Sequence, residues 1–163
     1  MTEGGEPACW AHLLGPVEGG TASALGPGQL AALVESLADA VIVADRAGRI
    51  VFWNESASRM LGWSAGEALG QPLDLIVPEK HRPAHNAGYQ RVIQQGTTRY
   101  GDSLLQVPAM HRDGQRLSVA FTVTLLWEAD RVVGVAAVMR DETARRAHEQ
   151  ELRRAAAANQ PPN

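Results

Sequence analysis

Apolar residues change their spacing several times along the chain, and each change predicts a different element. The first group recurs at helical intervals: Leu30, Leu33, Val34 and Leu37. Two alternating segments, residues 41–44 and 49–53, then flank residues 45–48, whose glycine stands where a tight hairpin requires positive φ. The pattern therefore predicts a short helix that leads into a β-hairpin.

Capping residues predict two short helices after the hairpin. Asn54 is placed to cap the first helix, which ends near Gly62. Ser64 and Glu67 have the spacing of a capping box, so a second helix begins there and ends at Gly70.

The second half of the chain predicts one longer helix, three strands and a final polar helix. Pro83 suits a first helical turn, and the helix that it opens carries His85 and ends at Gly96. Strands are predicted at about residues 100–112, 115–128 and 131–140, and the polar helix follows from residue 141. This order predicts an α+β fold, with an antiparallel sheet of about five strands and helices gathered over one face.

Composition limits the classes of function. The 163 residues are 20% charged and 45% apolar with a net charge of −3, which suits one domain and disfavours a nucleic-acid binder. The longest apolar stretch, residues 132–139, is too short to span a bilayer, and the N-terminus lacks a secretory signal, so a cytoplasmic location is expected. Cys9 is the single cysteine, which excludes an internal disulfide and a multi-cysteine metal site.

The same composition divides the chain into three parts. Residues 1–28 hold seven glycines and three prolines among few large apolar residues, which predicts a flexible leader. Residues 29–140 are predicted to form the folded domain, with an N-terminal helix over residues 29–39. Residues 141–163 are predicted to be a C-terminal signalling helix and tail, whose thin apolar stripe suits weak pairing with a partner helix.

Several motifs together resemble a PAS domain. They are Ala40-Val-Ile-Val-Ala-Asp45, Gly48-Arg-Ile-Val-Phe-Trp-Asn54, Gly66-Glu-Ala-Leu-Gly70, Arg112-Asp-Gly114 and Met139-Arg-Asp-Glu-Thr143. The resemblance covers about residues 30–154 and implies a five-stranded antiparallel sheet, short helices on one face, flanking terminal helices and a pocket for a sensory ligand. It does not select the ligand, because PAS domains bind haem, flavins, chromophores, small metabolites or no cofactor.

His85 is the residue that suggests a ligand. Helical spacing groups it with Gly88 and Tyr89, and a glycine one turn away lets a flat ring approach the backbone while the imidazole reaches an iron. Arg82-Pro-Ala-His85, followed by Arg91, resembles the haem PAS domains of rhizobial oxygen-sensor histidine kinases, in which the matching histidine is the proximal iron ligand. The resemblance therefore implies that His85 binds the iron of b-type haem (haem b). Tyr89, on the same side of the helix, is also predicted to contact the cofactor.

The same resemblance assigns residues around the cofactor. It requires no gap between His85 and the turn at residues 112–114, and it places Arg91 where the family has an arginine near a haem propionate. Arg99 replaces a propionate-contacting histidine and keeps a hydrogen-bond donor for a carboxylate. The distal arginine of the family has become Leu105, which cannot donate a hydrogen bond to bound oxygen.

An apolar distal side suits carbon monoxide or nitric oxide better than oxygen. Its predicted members are Leu104 or Leu105, Phe121 and Val123. Met110 and His111 are alternative ligands for a sixth iron position, although adjacent strand residues face opposite sides and at most one of them points inward.

Two functional hypotheses follow. The first is a non-enzymatic PAS sensor that holds haem through His85, responds to a diatomic gas or to redox state, and signals through its terminal helices to a second copy or a separate protein. The second is a PAS interaction and dimerisation module that is cofactor-free or binds a flavin or small metabolite, with His85 an ordinary histidine. Cys9 lies outside the domain, so a cysteinyl–flavin adduct is excluded. A zinc site at His81 and His85 is disfavoured because Pro83 starts the helix after His81.

Overall fold

This computed structural model describes residues 25–98 and 103–158, and within them five strands form one antiparallel sheet in the order β2-β1-β5-β4-β3. The strands are β1 (Ala40–Asp45), β2 (Ile50–Trp53), β3 (Leu105–Met110), β4 (Arg116–Glu128) and β5 (Arg131–Asp141). The helices are α1 (Pro27–Ser36), α2 (Glu55–Leu61), α3 (Ala65–Ala68), α4 (Arg82–Gln95) and α5 (Thr143–Ala158), with 3-10 helices at Leu73–Leu75 and Glu79–His81. The predicted α+β class and five-stranded antiparallel sheet are confirmed.

The β1–β2 hairpin forms as its turn residues predict. The Asp45 carboxylate accepts hydrogen bonds from the amides of Ala47 and Arg49, at 2.8 and 2.9 Å, and Gly48 adopts a φ of 77°. The Asp45 side chain supplies acceptors for two backbone amides of the turn, and glycine adopts the positive φ that the tight turn requires.

Strand β3 is shorter than predicted. The sequence pattern extended it over residues 100–112, whereas it runs from Leu105 to Met110. It ends there because the next two amides bond elsewhere: His111 donates to Gln115 within the turn at 2.8 Å, and Arg112 donates to Leu61 at the end of α2 at 2.9 Å. Residues 99–102, at the predicted start of this strand, lie outside the described residues.

A buried asparagine joins the start of the sheet to α2. Asn54 is fully buried, and its side-chain oxygen accepts from the amides of Val41 and Ala57, both at 2.9 Å. Its amide group donates to the carbonyls of Val34 at 3.2 Å and Asp39 at 3.0 Å. The predicted helix cap is therefore also the junction between α1, β1 and α2.

The β3–β4 turn docks onto α2 and α3. The Arg112 guanidinium lies 5.1 Å from the centre of the Trp63 ring and forms a salt bridge with Glu67 at 2.9 Å. Gly62 has a φ of 80°, and a Cβ there would lie 2.6 Å from the His111 ring, so both the conformation and the space require glycine. These contacts close one end of the sheet against its short helices.

The terminal helices flank the domain as predicted. α1 ends at Ser36, three residues before the predicted limit, and α5 begins at Thr143, whose hydroxyl accepts from the Ser118 amide at 2.9 Å. Arg140 at the end of β5 forms a salt bridge with Asp39, which precedes β1, at 2.6 Å. In the part of the chain that the structure describes, no helix combines the length and apolar character needed to cross a membrane.

Candidate functional site

Helix α4 crosses the end of the sheet where β1 finishes and where β4 turns into β5. It starts with Pro83 in its first turn and ends at Gly96 with a φ of 63°, as its sequence predicts. The indole of Trp127, from the end of β4, reaches to within 2.7 Å of the position that a Cβ at Gly96 would occupy. Trp127 itself is half exposed, and the edge of its ring lies against the C-terminal end of α4.

His85 is half-buried on α4, and its ring is oriented by neighbouring side chains. Its Nδ1 lies 3.1 Å from Oδ1 of Asn86, whose Nδ2 donates to the Asp74 carboxylate at 3.1 Å. An amide oxygen can only accept, so this arrangement assigns the ring proton to Nδ1 and leaves the Nε2 lone pair available. A histidine whose other nitrogen donates to an oxygen is the usual arrangement of a metal-bound imidazole.

Tyr89, one turn beyond His85, is tied to the sheet. Its hydroxyl lies 3.0 Å from the carbonyl oxygen of Ala44 and 2.6 Å from that of Asp45. Burial, reinforced by the Asp45 carboxylate, raises the pKa of Tyr89, so the phenol keeps its proton and remains a donor. The Tyr89 and His85 ring centres are 6.2 Å apart with their planes tilted by 32°.

Gly88 leaves open space on the same helix. A Cβ built at Gly88 would meet nothing within 4 Å, and its backbone does not have a positive φ. Neither backbone conformation nor packing therefore requires glycine here, although glycine weakens a helix by about 1 kcal/mol relative to alanine. The space beside His85 is room into which a flat ligand could extend.

The apolar face of the sheet is partly uncovered towards α4. Val119 in β4 is buried, whereas Phe121 and Val123, which follow on the same face, are only half-buried. Leu105 of β3 pairs with Phe121, and Ala137 of β5 pairs with Val123, and both partners are also half-buried. The three predicted lining residues Leu105, Phe121 and Val123 therefore share one face of adjacent strands.

Three other predicted site residues, Leu104, Arg91 and Arg99, do not lie on this half-buried apolar face within the described residues. Leu104 precedes β3 and is 58% exposed, so the choice between Leu104 and Leu105 favours Leu105. Arg91 is exposed on α4. Arg99 lies outside the described residues.

The two alternative sixth ligands are directed away from the uncovered apolar face. Met110 pairs with Arg116, so it belongs to the opposite face of the sheet from Ala109 and Leu117. His111 follows β3, where its ring covers Gly62 and its Nδ1 lies 2.8 Å from the Asp113 carboxylate. His111 is therefore engaged with the β3–β4 turn, and Met110 lies on the other face of the sheet.

The histidine pair that suggested zinc does not share one helix. His81 is exposed and ends the 3-10 helix Glu79–His81, whereas His85 lies in α4. Among residues 25–98 and 103–158, no three or more histidine, cysteine, aspartate or glutamate side chains form a cluster suited to a metal ion. Any metal at His85 would therefore need ligands beyond the described protein side chains, as the iron of a porphyrin has.

Sequence reasoning missed Asn86 and Asp74, the residues that orient His85. Asn86 follows His85 directly, and the His-Asn dipeptide is a local signal that allows this hydrogen bond. Asp74 precedes Asn86 by twelve residues and comes from a 3-10 helix, so its contact depends on how the connecting segment folds. No periodicity in the sequence indicates that contact.

Comparison with known proteins identifies the family. The family model described as the PAS fold matches residues 28–141, which is more than half of the chain. The chain belongs to the PAS family. This result confirms the resemblance that the motifs indicated and agrees with the order of strands and helices.

Relatives within the PAS family include two sensors. Sensor protein FixL of Bradyrhizobium diazoefficiens is 36% identical over 62 residues, which are 38% of this chain and 12% of that protein. Oxygen sensor protein DosP of Escherichia coli is 23% identical over 122 residues, 75% of this chain and 15% of that protein. The chain thus matches only a small part of the length of either relative.

Solved structures support the same fold. An RNA-binding Light-Oxygen-Voltage receptor superposes with a TM-score of 0.67 at 23% identity, covering 88% of this chain and 40% of that one. At this identity the likeness concerns the PAS fold alone.

The predicted site residues are of the chemical kinds that hold haem. The imidazole offers Nε2, a Cβ at Gly88 would meet nothing within 4 Å, and Leu105 with its strand neighbours is apolar and half-buried. The exposed guanidinium of Arg91 suits a carboxylate at the solvent edge. The apolar wall has no hydrogen-bond donor at Leu105.

Proposed function

We propose that this PAS domain is a sensory module that holds b-type haem through Nε2 of His85 and responds to a diatomic gas or to redox state. The observation that carries the proposal is the set Asp74–Asn86–His85, which directs a lone pair of a helix histidine beside open space at Gly88. The sensor relatives FixL and DosP add support for a sensory role. Haem bound here supplies an open iron position for a gas and a ferric–ferrous couple.

The side chains of this domain would set which gas is favoured. Leu105, Phe121 and Val123 present hydrocarbon rather than hydrogen-bond donors, and bound oxygen depends on a donor more strongly than carbon monoxide or nitric oxide does. Arg91 would pair with a haem propionate, and Arg99 is proposed for the second carboxylate. The proposal therefore favours carbon monoxide, nitric oxide or redox state over oxygen, and non-enzymatic signalling over catalysis.

The output of the module is proposed to leave through its terminal helices. α5 continues directly from β5, and its exposed Leu152 belongs to a thin apolar stripe on a charged helix. A second copy of this chain or a separate signalling protein would bind that stripe.

Absorption spectra test the haem site. The purified domain is titrated with haemin, and ferric, ferrous and ferrous-carbonyl spectra are recorded for wild type, His85→Ala and the control His81→Ala. We expect one haem per chain in wild type and in His81→Ala, because His81 is exposed outside α4. His85→Ala should lose the wild-type Soret position. The proposal fails if wild type takes up no stoichiometric haem or if His85→Ala keeps an unchanged coordination spectrum.

A second candidate is a PAS interaction module that is cofactor-free or takes a flavin or small metabolite. The observation that favours it is the hydrogen bonding of Tyr89, which fixes α4 to β1 through protein groups alone. The structural likeness to a Light-Oxygen-Voltage receptor keeps flavin as a ligand to test. A wild-type protein that ignores haemin but is stabilised by flavin mononucleotide, measured as a rise in Tm, would select this candidate.

A further inference from the structure

We propose that the Tyr89 hydroxyl is a positioning group, which ties His85 to the end of β1 and transmits movement of α4 through β5 to α5. This inference rests on the proposed function, because the movement that it transmits begins at His85. Tyr89 was expected among the cofactor-binding residues, whereas its hydroxyl is directed to two strand carbonyls. Its role therefore lies between the ligand site and the sheet.

The first step of the argument is that α4 makes a short polar contact with a strand at Tyr89. The phenol has one proton to share between Ala44 and Asp45, whose oxygens lie at 3.0 and 2.6 Å, so it can follow either acceptor as the helix shifts. The neighbouring Gln90 reaches the Arg46 carbonyl at a longer distance of 3.4 Å, in an exposed turn. Tyr89 is thus the tighter of these two polar contacts from α4 to the β1–β2 hairpin.

The second step is that the carbonyl of Ala44 also lies close to β5. Ala44 pairs with Val135 and Asp45 pairs with Gly134, and a Cβ at Gly134 would lie 2.6 Å from the Ala44 oxygen. Only a residue without a side chain allows this approach. The acceptor of Tyr89 is therefore held between α4 and β5, and a displaced carbonyl would press on β5.

The third step is that β5 leads directly to the output helix. β1 pairs with β5 over its full length, from Ala40–Met139 to Asp45–Gly134. Two residues after β5, the Thr143 hydroxyl at the start of α5 accepts from the Ser118 amide in β4. A shift of β5 relative to β4 would therefore alter the base of α5.

Tyr89→Phe removes the hydroxyl and keeps the ring, and Gln90→Ala is the matched control on the next residue. In the cofactor-free proteins, amide hydrogen exchange is measured for peptides covering residues 40–45 and 131–141. We expect Tyr89→Phe to accelerate exchange about five-fold at the end of β1, since one net hydrogen bond is lost, and Gln90→Ala to change it less than about two-fold. Unchanged exchange in Tyr89→Phe would overturn the tie between α4 and β1.

In the haem-loaded proteins, exchange of α5 is compared between the ferric and ferrous-carbonyl states. We expect wild type and Gln90→Ala to show a difference between the two states in α5. Tyr89→Phe should retain the wild-type Soret band yet lose that difference. A difference retained in Tyr89→Phe, or none in haem-loaded wild type, would overturn the signalling route. Wild type without haem would overturn the proposed function and the signalling route together, while the cofactor-free comparison would still decide whether Tyr89 ties α4 to β1.

Discussion

Two parts of the same sheet face are covered to different degrees. Under α2 and α3, which we call the α2–α3 side, Leu117 and Val119 of β4 are buried at 7% and 2% exposure. Towards α4, on what we call the α4 side, Phe121 and Val123 of the same strand and face are half-buried. The four side chains are all apolar, so the difference lies in the covering helices and not in the strand. The chain buries its core on the α2–α3 side and leaves the apolar side chains on the α4 side partly exposed.

One asparagine on each side shows a second difference. On the α2–α3 side, the fully buried side chain of Asn54 makes four hydrogen bonds to backbone groups. On the α4 side, Asn86 is exposed and bonds to two side chains, one of them His85. Asn54 therefore links three backbone segments of the fold, whereas Asn86 contacts the side chains of His85 and Asp74.

The largest loss of stability is expected from a substitution at Asn54, on the α2–α3 side. Asn54→Ala leaves the buried amides of Val41 and Ala57 without their acceptor and removes the cap of α2. We expect a loss of about 3 kcal/mol in the free energy of unfolding and a fall of about 10 °C in Tm. Urea denaturation and thermal melting followed by circular dichroism measure both.

Asn86→Ala is the control for that experiment, because it removes the same side chain from the α4 side. Its amide is exposed, so water replaces its partners, and we expect a change below about 0.5 kcal/mol. Equal losses from Asn54→Ala and Asn86→Ala would contradict the division of the molecule into a structural and a ligand-binding side.

Gly88 should separate stability from haem binding. Gly88→Leu places a side chain in open space on a helix, so we expect the cofactor-free protein to gain about 1 kcal/mol. The same side chain would occupy the room beside His85 and weaken haem binding at least about ten-fold. Haemin titration and urea denaturation of one protein preparation measure the two effects.

Gly66→Leu is the matched control on α3, where a Cβ also meets nothing within 4 Å. We expect it to leave haem affinity unchanged, because Gly66 is on the α2–α3 side. A Gly88→Leu protein that binds haem as tightly as wild type would show that the open space is solvent and no part of a ligand site.

Local chemistry explains why most of the fold could be predicted from the sequence. Asn54, Gly62 and Pro83 each act on neighbouring residues, so the helix ends that they predict agree with the structure. The end of β3 could not be predicted in this way, because it depends on the bond from the Arg112 amide to Leu61, which is distant in sequence.

The candidate site shows the same limit. His85 and Gly88 could be found by helical spacing, and Phe121 and Val123 by strand alternation. The partners of Tyr89 could not be found, since its hydroxyl reaches carbonyls more than forty residues earlier in the chain. Helical spacing reveals the face of a helix on which Tyr89 lies and not the acceptor of its hydroxyl.

The hydrogen bond that orients His85 is expected to affect the midpoint potential of bound haem more than the stability of the fold. Asn86→Ala removes the acceptor from Nδ1, so the imidazole becomes a weaker electron donor and stabilises ferric iron less. We expect the ferric–ferrous midpoint potential to rise and haem affinity to fall by less than about ten-fold. Asp74→Ala removes the acceptor of the Asn86 hydrogen bond and should raise the midpoint potential by a smaller amount. A fall in potential, or a larger shift from Asp74→Ala, would contradict the proposed orientation.

The smallest effect is expected at the salt bridge between the segment before β1 and the end of β5. The hydrogen bond from Arg140 lowers the pKa of Asp39 below its usual value near 3.8, against a smaller opposing effect of burial. A carboxyl whose pKa is lower in the folded state stabilises the protein above its unfolded pKa and loses that contribution as the pH falls through its folded pKa.

Because Arg140 is largely exposed, solvent screens this pair and keeps its contribution to stability small. The free energies of unfolding of wild type and Asp39→Asn, measured with urea, should therefore differ slightly at pH 7 and converge as the pH falls through the lowered pKa of Asp39. The difference at pH 7 should also shrink in 1 M salt, where exposed charges are screened. A difference that persists at low pH and high salt would assign the role of Asp39 to something other than its charge.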